Sequence, residues 1–171
     1  SSAIDAAMAE TTEALRLYPA SAGAHSNLAS LFVHRGQLEP ALTEYREALR
    51  LKPNDADIHR NFAVALQKMK RTDEAVAEFR AVLQLHPTDA AVRLNLADAL
   101  LSANRPDEAI AEYRAVVGVR PDSGEAHVGL GSAFGRLGRL DAAIAEYPET
   151  LRLDPSSARA HRNLGLALLR Q

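Results

Sequence analysis

The 171-residue sequence contains no cysteine, which excludes disulfide bonds, thiolate chemistry and cysteine-ligated metal sites. It also lacks an excess of positive charge, because 20 Lys and Arg face 22 Asp and Glu for a formal charge of -2. Binding to nucleic acid or to an anionic membrane would therefore need a local basic patch. A run of about eighteen apolar residues and a secretory leader are also missing. We expect neither nucleic acid nor membrane as a partner, and the compartment is unknown, with a cytoplasmic location favoured.

What the sequence does contain is a strict internal repeat, within an ordinary globular composition of 47% apolar and 25% charged residues. Several types of residue recur at a spacing of 34 positions. The proline column is Pro19, Pro53, Pro87, Pro121 and Pro155; the others are Leu28, Phe62, Leu96, Leu130 and Leu164, then Ala41, Ala75, Ala109 and Ala143, then Tyr45, Phe79, Tyr113 and Tyr147. A regular period of this length is typical of a repeat protein.

Each repeat predicts two amphipathic helices joined by a tight turn. In residues 56–89, apolar side chains recur at steps of three and four, first around Phe62 and Leu66 and then around Val76 and Phe79. Asp73 and Glu74 would lie in the first turn of the second helix, where the helix dipole favours negative charge. The proline near the end of each unit cannot continue a helix, so it marks the boundary.

The pattern resembles the tetratricopeptide repeat family over essentially the whole chain. Residues 22–55 carry the family's characteristic residues, namely Leu28, Ala29, Gly36, Ala41, Tyr45, Ala48 and Pro53. The large aromatic residue usual early in the first helix is replaced by His25, His59, Arg93, His127 and His161. The resemblance implies an all-α, right-handed superhelix, or α-solenoid, of antiparallel helix pairs. We expect one array (1–171), with partial repeats at 1–21 and 158–171 and full repeats at 22–55, 56–89, 90–123 and 124–157.

Two prolines and two of the four glycines between residues 129 and 138 depart from the average repeat. Pro148 lies inside a second helix, which predicts a kink or break near residues 144–148, whereas Pro106 lies at a first helical position and should be tolerated. Gly131 and Gly138 occupy the packing and turn positions of the family. Gly129 and Gly135 have no such explanation and should weaken their helix.

No set of residues predicts an enzyme, a cofactor or a metal site. The glycines between residues 129 and 138 have the wrong spacing for a phosphate loop, and no strand precedes them. The four repeated histidines lie one per unit, so they are too far apart to share a metal ion, and we expect them to pack between helices. The carboxylates show no arrangement for acid–base catalysis.

The candidate site is an asparagine column formed by Asn27, Asn61, Asn95 and Asn163, which Gly129 interrupts. Asparagine is a mediocre residue in mid-helix, and its amide offers both donors and an acceptor. Together with the segment at residues 24–30, the column is similar to the tetratricopeptide region of O-linked N-acetylglucosamine transferase, in which concave asparagines hold the backbone of protein substrates. The resemblance implies a non-catalytic scaffold that binds an extended peptide or protein in a concave groove. We place Arg60, Ser30 and Asp98 on the same face.

Other interpretations remain open at this point. Duplication alone would also copy an asparagine into each unit. The chain could be a structural array that packs end to end through uncapped terminal helices, or the substrate-docking arm of a larger glycosyltransferase. A clamp for a terminal carboxylate, known in this family, fits poorly, because Val64, Glu125 and Gly129 stand where its polar groups would be needed. Arg159, Arg162 and Arg170 make the last helix basic, so this helix could attract acidic partners weakly, although a solvated face is the simplest interpretation.

Overall fold

The computed structural model describes residues 2–171, and these residues form ten α-helices with no strand. The all-α class is thereby confirmed, whereas the exact repeat boundaries and the handedness of a superhelix stay predictions. The helices are α1 (Ser2–Leu17), α2 (Ala22–His34), α3 (Leu38–Leu51), α4 (Ala56–Lys68), α5 (Thr72–Leu85), α6 (Ala90–Ser102), α7 (Pro106–Val119), α8 (Gly124–Arg136), α9 (Leu140–Leu153) and α10 (Ala158–Arg170).

Capping residues set where the first helix of each pair begins. The Asp55 carboxylate accepts hydrogen bonds from the backbone N–H groups of Asp57 and Ile58, both at 3.2 Å. Asp89 caps α6 in the same way, and Ser21 accepts from the Ala24 N–H at the start of α2. These side chains satisfy donors that a helix N-terminus leaves without intrahelical partners.

The turns inside the helix pairs use the left-handed backbone region at one repeated position. Gly36, Lys70, Asn104 and Gly138 have φ angles of 74°, 59°, 57° and 70°. Glycine and asparagine tolerate this region best, so Gly138 has the turn role that the sequence predicts. Lys70 adopts the same conformation without that advantage.

The chain forms two compact units, one up to Pro87 and one from Thr88 onward. In the first unit, α2 packs on α3, α4 packs on α5, and α4 also contacts α2 and α3. Tyr45 stacks on Phe62 with ring centroids 5.0 Å apart. Fully buried alanines such as Ala29 and Ala41 leave room for the helices to approach one another.

In the second unit, α6 packs on α7, α8 packs on α7 and α9, and α10 packs on α8 and α9. Two glycines of α8 lie against tyrosine rings. A Cβ atom added at Gly129 would lie 2.3 Å from the Tyr113 ring, and one at Gly131 would lie 2.5 Å from the Tyr147 ring. The packing role predicted for Gly131 is confirmed. Gly129 also has a packing role, which was not expected from the sequence, whereas Gly135 faces open space.

The break predicted in α9 is wrong, since this helix runs without interruption from Leu140 to Leu153 with Pro148 inside it. Pro148 is exposed, and Ala143, Tyr147 and Thr150 form the buried side of the helix. Burial of that stripe holds the helix together although the proline removes a backbone hydrogen bond. A bend at Pro148 stays a prediction. Pro106 occupies the start of α7, as predicted.

Candidate functional site

Asn27 and Asn61 form an exposed amide pair in the first unit. Asn27 lies on α2 and Asn61 at the matching position of α4, and these two helices pack against each other. Both side chains are exposed, and neither makes a hydrogen bond to another group among residues 2–171. Their amides are therefore open to a ligand, with donors and acceptors on adjacent helices.

The other two members of the asparagine column lie in the second unit and are half-buried. Asn163 on α10 donates a hydrogen bond from Nδ2 to the Ser132 Oγ of α8 at 3.0 Å. One donor of this amide is thus already used to connect two helices. Asn95 lies on α6, four helices before α10 in the same unit. Within the asparagine column, the amides of Asn27 and Asn61 are therefore the ones most available to a ligand.

Ser30 and Asp98, which were expected on the binding face, each hydrogen-bond to a tyrosine of the following helix. Ser30 Oγ lies 2.8 Å from the Tyr45 hydroxyl, and the Tyr113 hydroxyl donates to the Asp98 carboxylate. Burial raises the pKa of Tyr113, and the charge of Asp98 and this hydrogen bond raise it further. Both polar side chains therefore have a structural partner.

The sequence itself contains a signal for this pairing. The tyrosine follows its polar partner by 15 residues, and Tyr147 is placed in the same way beside Ser132. In the one full repeat where the aromatic residue is Phe79, the matching position holds Val64. A tyrosine, which has a hydroxyl group, is thus paired with a polar side chain. Phe79, which has no hydroxyl group, is paired with an apolar one.

Arg60, also expected on the binding face, is half-buried on α4. Its Nη1 donates to Asp57 Oδ1 at 3.2 Å, one turn earlier in the same helix. The guanidinium thus lies next to Asn61 in sequence and is held by a local ion pair.

The repeated histidines join the two helices of a pair to the preceding loop. His25 Nδ1 lies 2.6 Å from Glu44 Oε2, and its Nε2 lies 3.0 Å from the Pro19 carbonyl oxygen. His59 and His127 repeat this bridge with Glu78 and Glu146, and Arg93 replaces the histidine with its Nη1 2.6 Å from Glu112. We call this arrangement the histidine bridge. The predicted packing between helices is confirmed for His25, His59 and His127. It is wrong for His161 on α10, which is exposed and bonds, among residues 2–171, only to the Pro155 carbonyl oxygen.

Burial and the glutamates act in opposite directions on these imidazoles. Burial lowers the pKa of His25, but the hydrogen bonds to Glu44 and the Pro19 carbonyl and the charges of Glu44 and Glu47 outweigh it, so the pKa of His25 is raised. The pKa of His127 is raised in the same way, with Glu146 as the main partner. Protonation of His25 and of His127 thus stabilises the helix pairs that these two residues join.

Residues 2–171 hold no group of three or more His, Cys, Asp or Glu placed to bind a metal ion. In the same part of the chain, no helix is both long and apolar enough to cross a bilayer. What the geometry offers is a surface of hydrogen-bonding side chains on the first helix of each pair.

Two family models match most of the chain. One, described as tetratricopeptide repeat, matches residues 66–133, and the other, described as TPR repeat, matches residues 29–70 and 136–171. The chain belongs to the tetratricopeptide repeat family. No enzyme family is indicated by these matches, and no curated protein sequence matches the chain.

Solved structures of tetratricopeptide repeat proteins share this fold. A MamA fragment from Desulfovibrio magneticus RS-1 is 27% identical, with a TM-score of 0.79 over 87% of this chain and 84% of that one. YrrB, described as a TPR protein with an unusual peptide-binding site, is 23% identical, with a TM-score of 0.76 over 93% and 82%. A repeat protein from Parabacteroides merdae ATCC 43184 is 17% identical, with a TM-score of 0.87 over 98% and 66%. The resemblance to O-linked N-acetylglucosamine transferase and the end-to-end self-association stay predictions.

Proposed function

We propose that this tetratricopeptide repeat chain is a non-catalytic interaction module that binds an extended protein segment along the first helices within each compact unit. The observation that carries the proposal is the pair of exposed, unengaged amides of Asn27 and Asn61 on two adjacent helices. Each amide can donate to a backbone carbonyl and accept from a backbone N–H of a guest chain. Such contacts grip a peptide without selecting its side chains. The peptide-binding site described for YrrB supports this use of the fold.

Backbone contacts alone give only weak binding. A neutral hydrogen bond contributes about 0.5–1.5 kcal/mol, whereas association costs about 4–15 kcal/mol. Two amide contacts within one unit do not offset that cost by themselves. Additional contacts with guest side chains must supply the rest of the affinity.

The test is peptide capture by a variant that lacks both exposed amides. We expect Asn27→Ala/Asn61→Ala to lose most of its binding to an array of randomised synthetic peptides with acetylated and amidated ends. The matched control is Asn54→Ala, which removes an exposed amide from the loop between α3 and α4. Helicity should be the same in all three proteins, because each replaced side chain is exposed. Undiminished capture by the double variant would refute the asparagine mechanism.

A further inference from the structure

The second unit contains a cavity of about 340 Å³ on its first-helix side. Its walls come mainly from α8 and α10, with Leu101 of α6 and Leu140 and Tyr147 of α9 at the edges. Four arginines line it, and no Asp or Glu does. These are Arg136, Arg159, Arg162 and Arg170.

The four arginines of this pocket differ from most other arginines of the protein in having no carboxylate partner. Elsewhere the guanidiniums form close ion pairs, for example Arg50 with Glu47 at 2.7 Å and Arg152 with Glu149 at 2.6 Å. None of the four pocket arginines makes such a pair with any of residues 2–171. We call this site the arginine pocket.

Nearby acidic groups are engaged elsewhere or lie outside the arginine pocket. The Asp98 carboxylate accepts the Tyr113 hydroxyl, and Asp141 accepts a hydrogen bond from Gln171. Glu125 and Asp154 line a separate cavity, which Arg159 also borders. Four like charges around one cavity create a positive potential that attracts anions.

One of the arginines is fixed in place before any ligand arrives. Arg136 Nη1 donates to the Leu101 carbonyl oxygen at 2.6 Å, near the C-terminus of α6, where a cation is favoured by the helix dipole. This contact uses one of the five N–H donors of the guanidinium and leaves the others available. The planar guanidinium fork matches a carboxylate in two parallel hydrogen bonds.

Neutral polar groups beside the arginines are suited to a peptide. Asn163, Ser132 and Tyr147 line the same cavity, and Asn163 belongs to the asparagine column. A segment held along the first helices of this unit therefore reaches the guanidiniums with its side chains. Leu166, which is 47% exposed, adds an apolar contact at the wall.

We propose that the arginine pocket binds an acidic protein segment by holding two or more of its Asp or Glu side chains. This proposal rests on the proposed function and adds a specificity for acidic segments. A single terminal carboxylate carries one charge, which leaves most of four clustered cations uncompensated. Several side-chain carboxylates on one extended segment neutralise more of them and supply the affinity that backbone contacts lack.

The experiment measures fluorescence anisotropy with two labelled peptides that differ only in Glu against Gln. Both peptides have acetylated and amidated ends, so that side chains alone carry the charge. We expect the parent protein to bind the Glu peptide at least about tenfold more tightly, since each charge-assisted hydrogen bond contributes on that scale. The preference should shrink as salt is added.

Two variants test whether the pocket arginines cause the preference for the Glu peptide over the Gln peptide. Arg162→Gln/Arg170→Gln should abolish most of the Glu-over-Gln preference, whereas the control Arg16→Gln/Arg120→Gln, with the same change in net charge outside the pocket, should keep it. All four side chains are exposed, so helicity should not change.

Three results overturn the arginine pocket as a carboxylate site. These are equal affinity for the two peptides, an unchanged preference in the pocket variant, and binding of a phosphoserine peptide where the Glu peptide does not bind. If the Gln peptide still binds and Asn27→Ala/Asn61→Ala removes that binding, the proposed function stands without the pocket. If the Glu preference survives in the asparagine variant with undiminished affinity, the pocket stands without the asparagine mechanism.

Discussion

Position 129 accepts only glycine because of the tyrosine ring that packs against it. The asparagine column is interrupted there because α8 lies directly against the ring of Tyr113, with no room for any side chain. The Tyr113 ring is fixed by its burial and by the hydrogen bond to Asp98, so it cannot easily move away. The gap in the column is thus a requirement of packing.

Replacing Gly129 by alanine should destabilise the protein. Overpacking of a tight contact costs about 1–3 kcal/mol, and we expect a loss of this size in the free energy of unfolding measured by urea titration. Gly135→Ala is the matched control in the same helix. It faces open space and should stabilise the protein by about 0.5–1 kcal/mol, because alanine is the better helix former. A Gly129→Ala protein as stable as the parent would contradict the contact.

At the level of single helices, α9 retains a proline where the other second helices have arginine. Arg46, Arg80 and Arg114 occupy the position that matches Pro148. We expect Pro148→Arg to raise the free energy of unfolding by about 3 kcal/mol, because it restores a backbone donor and removes a clash. Pro106→Ala, at the first position of α7, should change stability far less. Equal effects of the two substitutions would mean that Pro148 is not strained.

The histidine bridges give the helix pairs a pH dependence. Because the pKa of His25 and of His127 is raised above the ordinary value of 6.5, their stabilisation is complete below that pH. It is lost as the pH rises through the raised pKa values of the folded protein. The free energy of unfolding should therefore fall as the pH rises from about 6.5 through the raised pKa values of these two histidines.

Arginine at the bridge should weaken this dependence, since Arg93 makes the same contact and stays charged. We expect His25→Arg/His127→Arg to show a smaller fall in unfolding free energy over that pH range than the parent. His86→Arg, at an exposed position outside the bridges, should retain the parental slope. Identical slopes for the parent and the bridge variant would show that the bridges do not titrate as described.

For the molecule as a whole, the sequence is sufficient to predict the helices. It is not sufficient to predict which polar side chains of the candidate site are open to a ligand. The 34-residue period predicts the all-α class, and the capping and turn residues account for where the helices begin and end. The state of individual polar side chains depends on contacts between helices that the period does not encode. Asn163, Ser30 and Asp98 were expected to face a ligand. In the structure Asn163 hydrogen-bonds to Ser132, and Ser30 and Asp98 each hydrogen-bond to a tyrosine. The sequence shows that the last helix is basic, but it does not show that Arg136 of the preceding repeat lines the same cavity as Arg159, Arg162 and Arg170.

The most direct test of the account is a nitrogen–proton correlation spectrum of the side-chain amides during titration with an extended peptide. If the first-helix face holds a guest backbone, the amide signals of Asn27 and Asn61 shift as peptide is added, and that of Asn54 stays in place. Saturable binding that leaves the Asn27 and Asn61 signals unmoved would contradict the central claim.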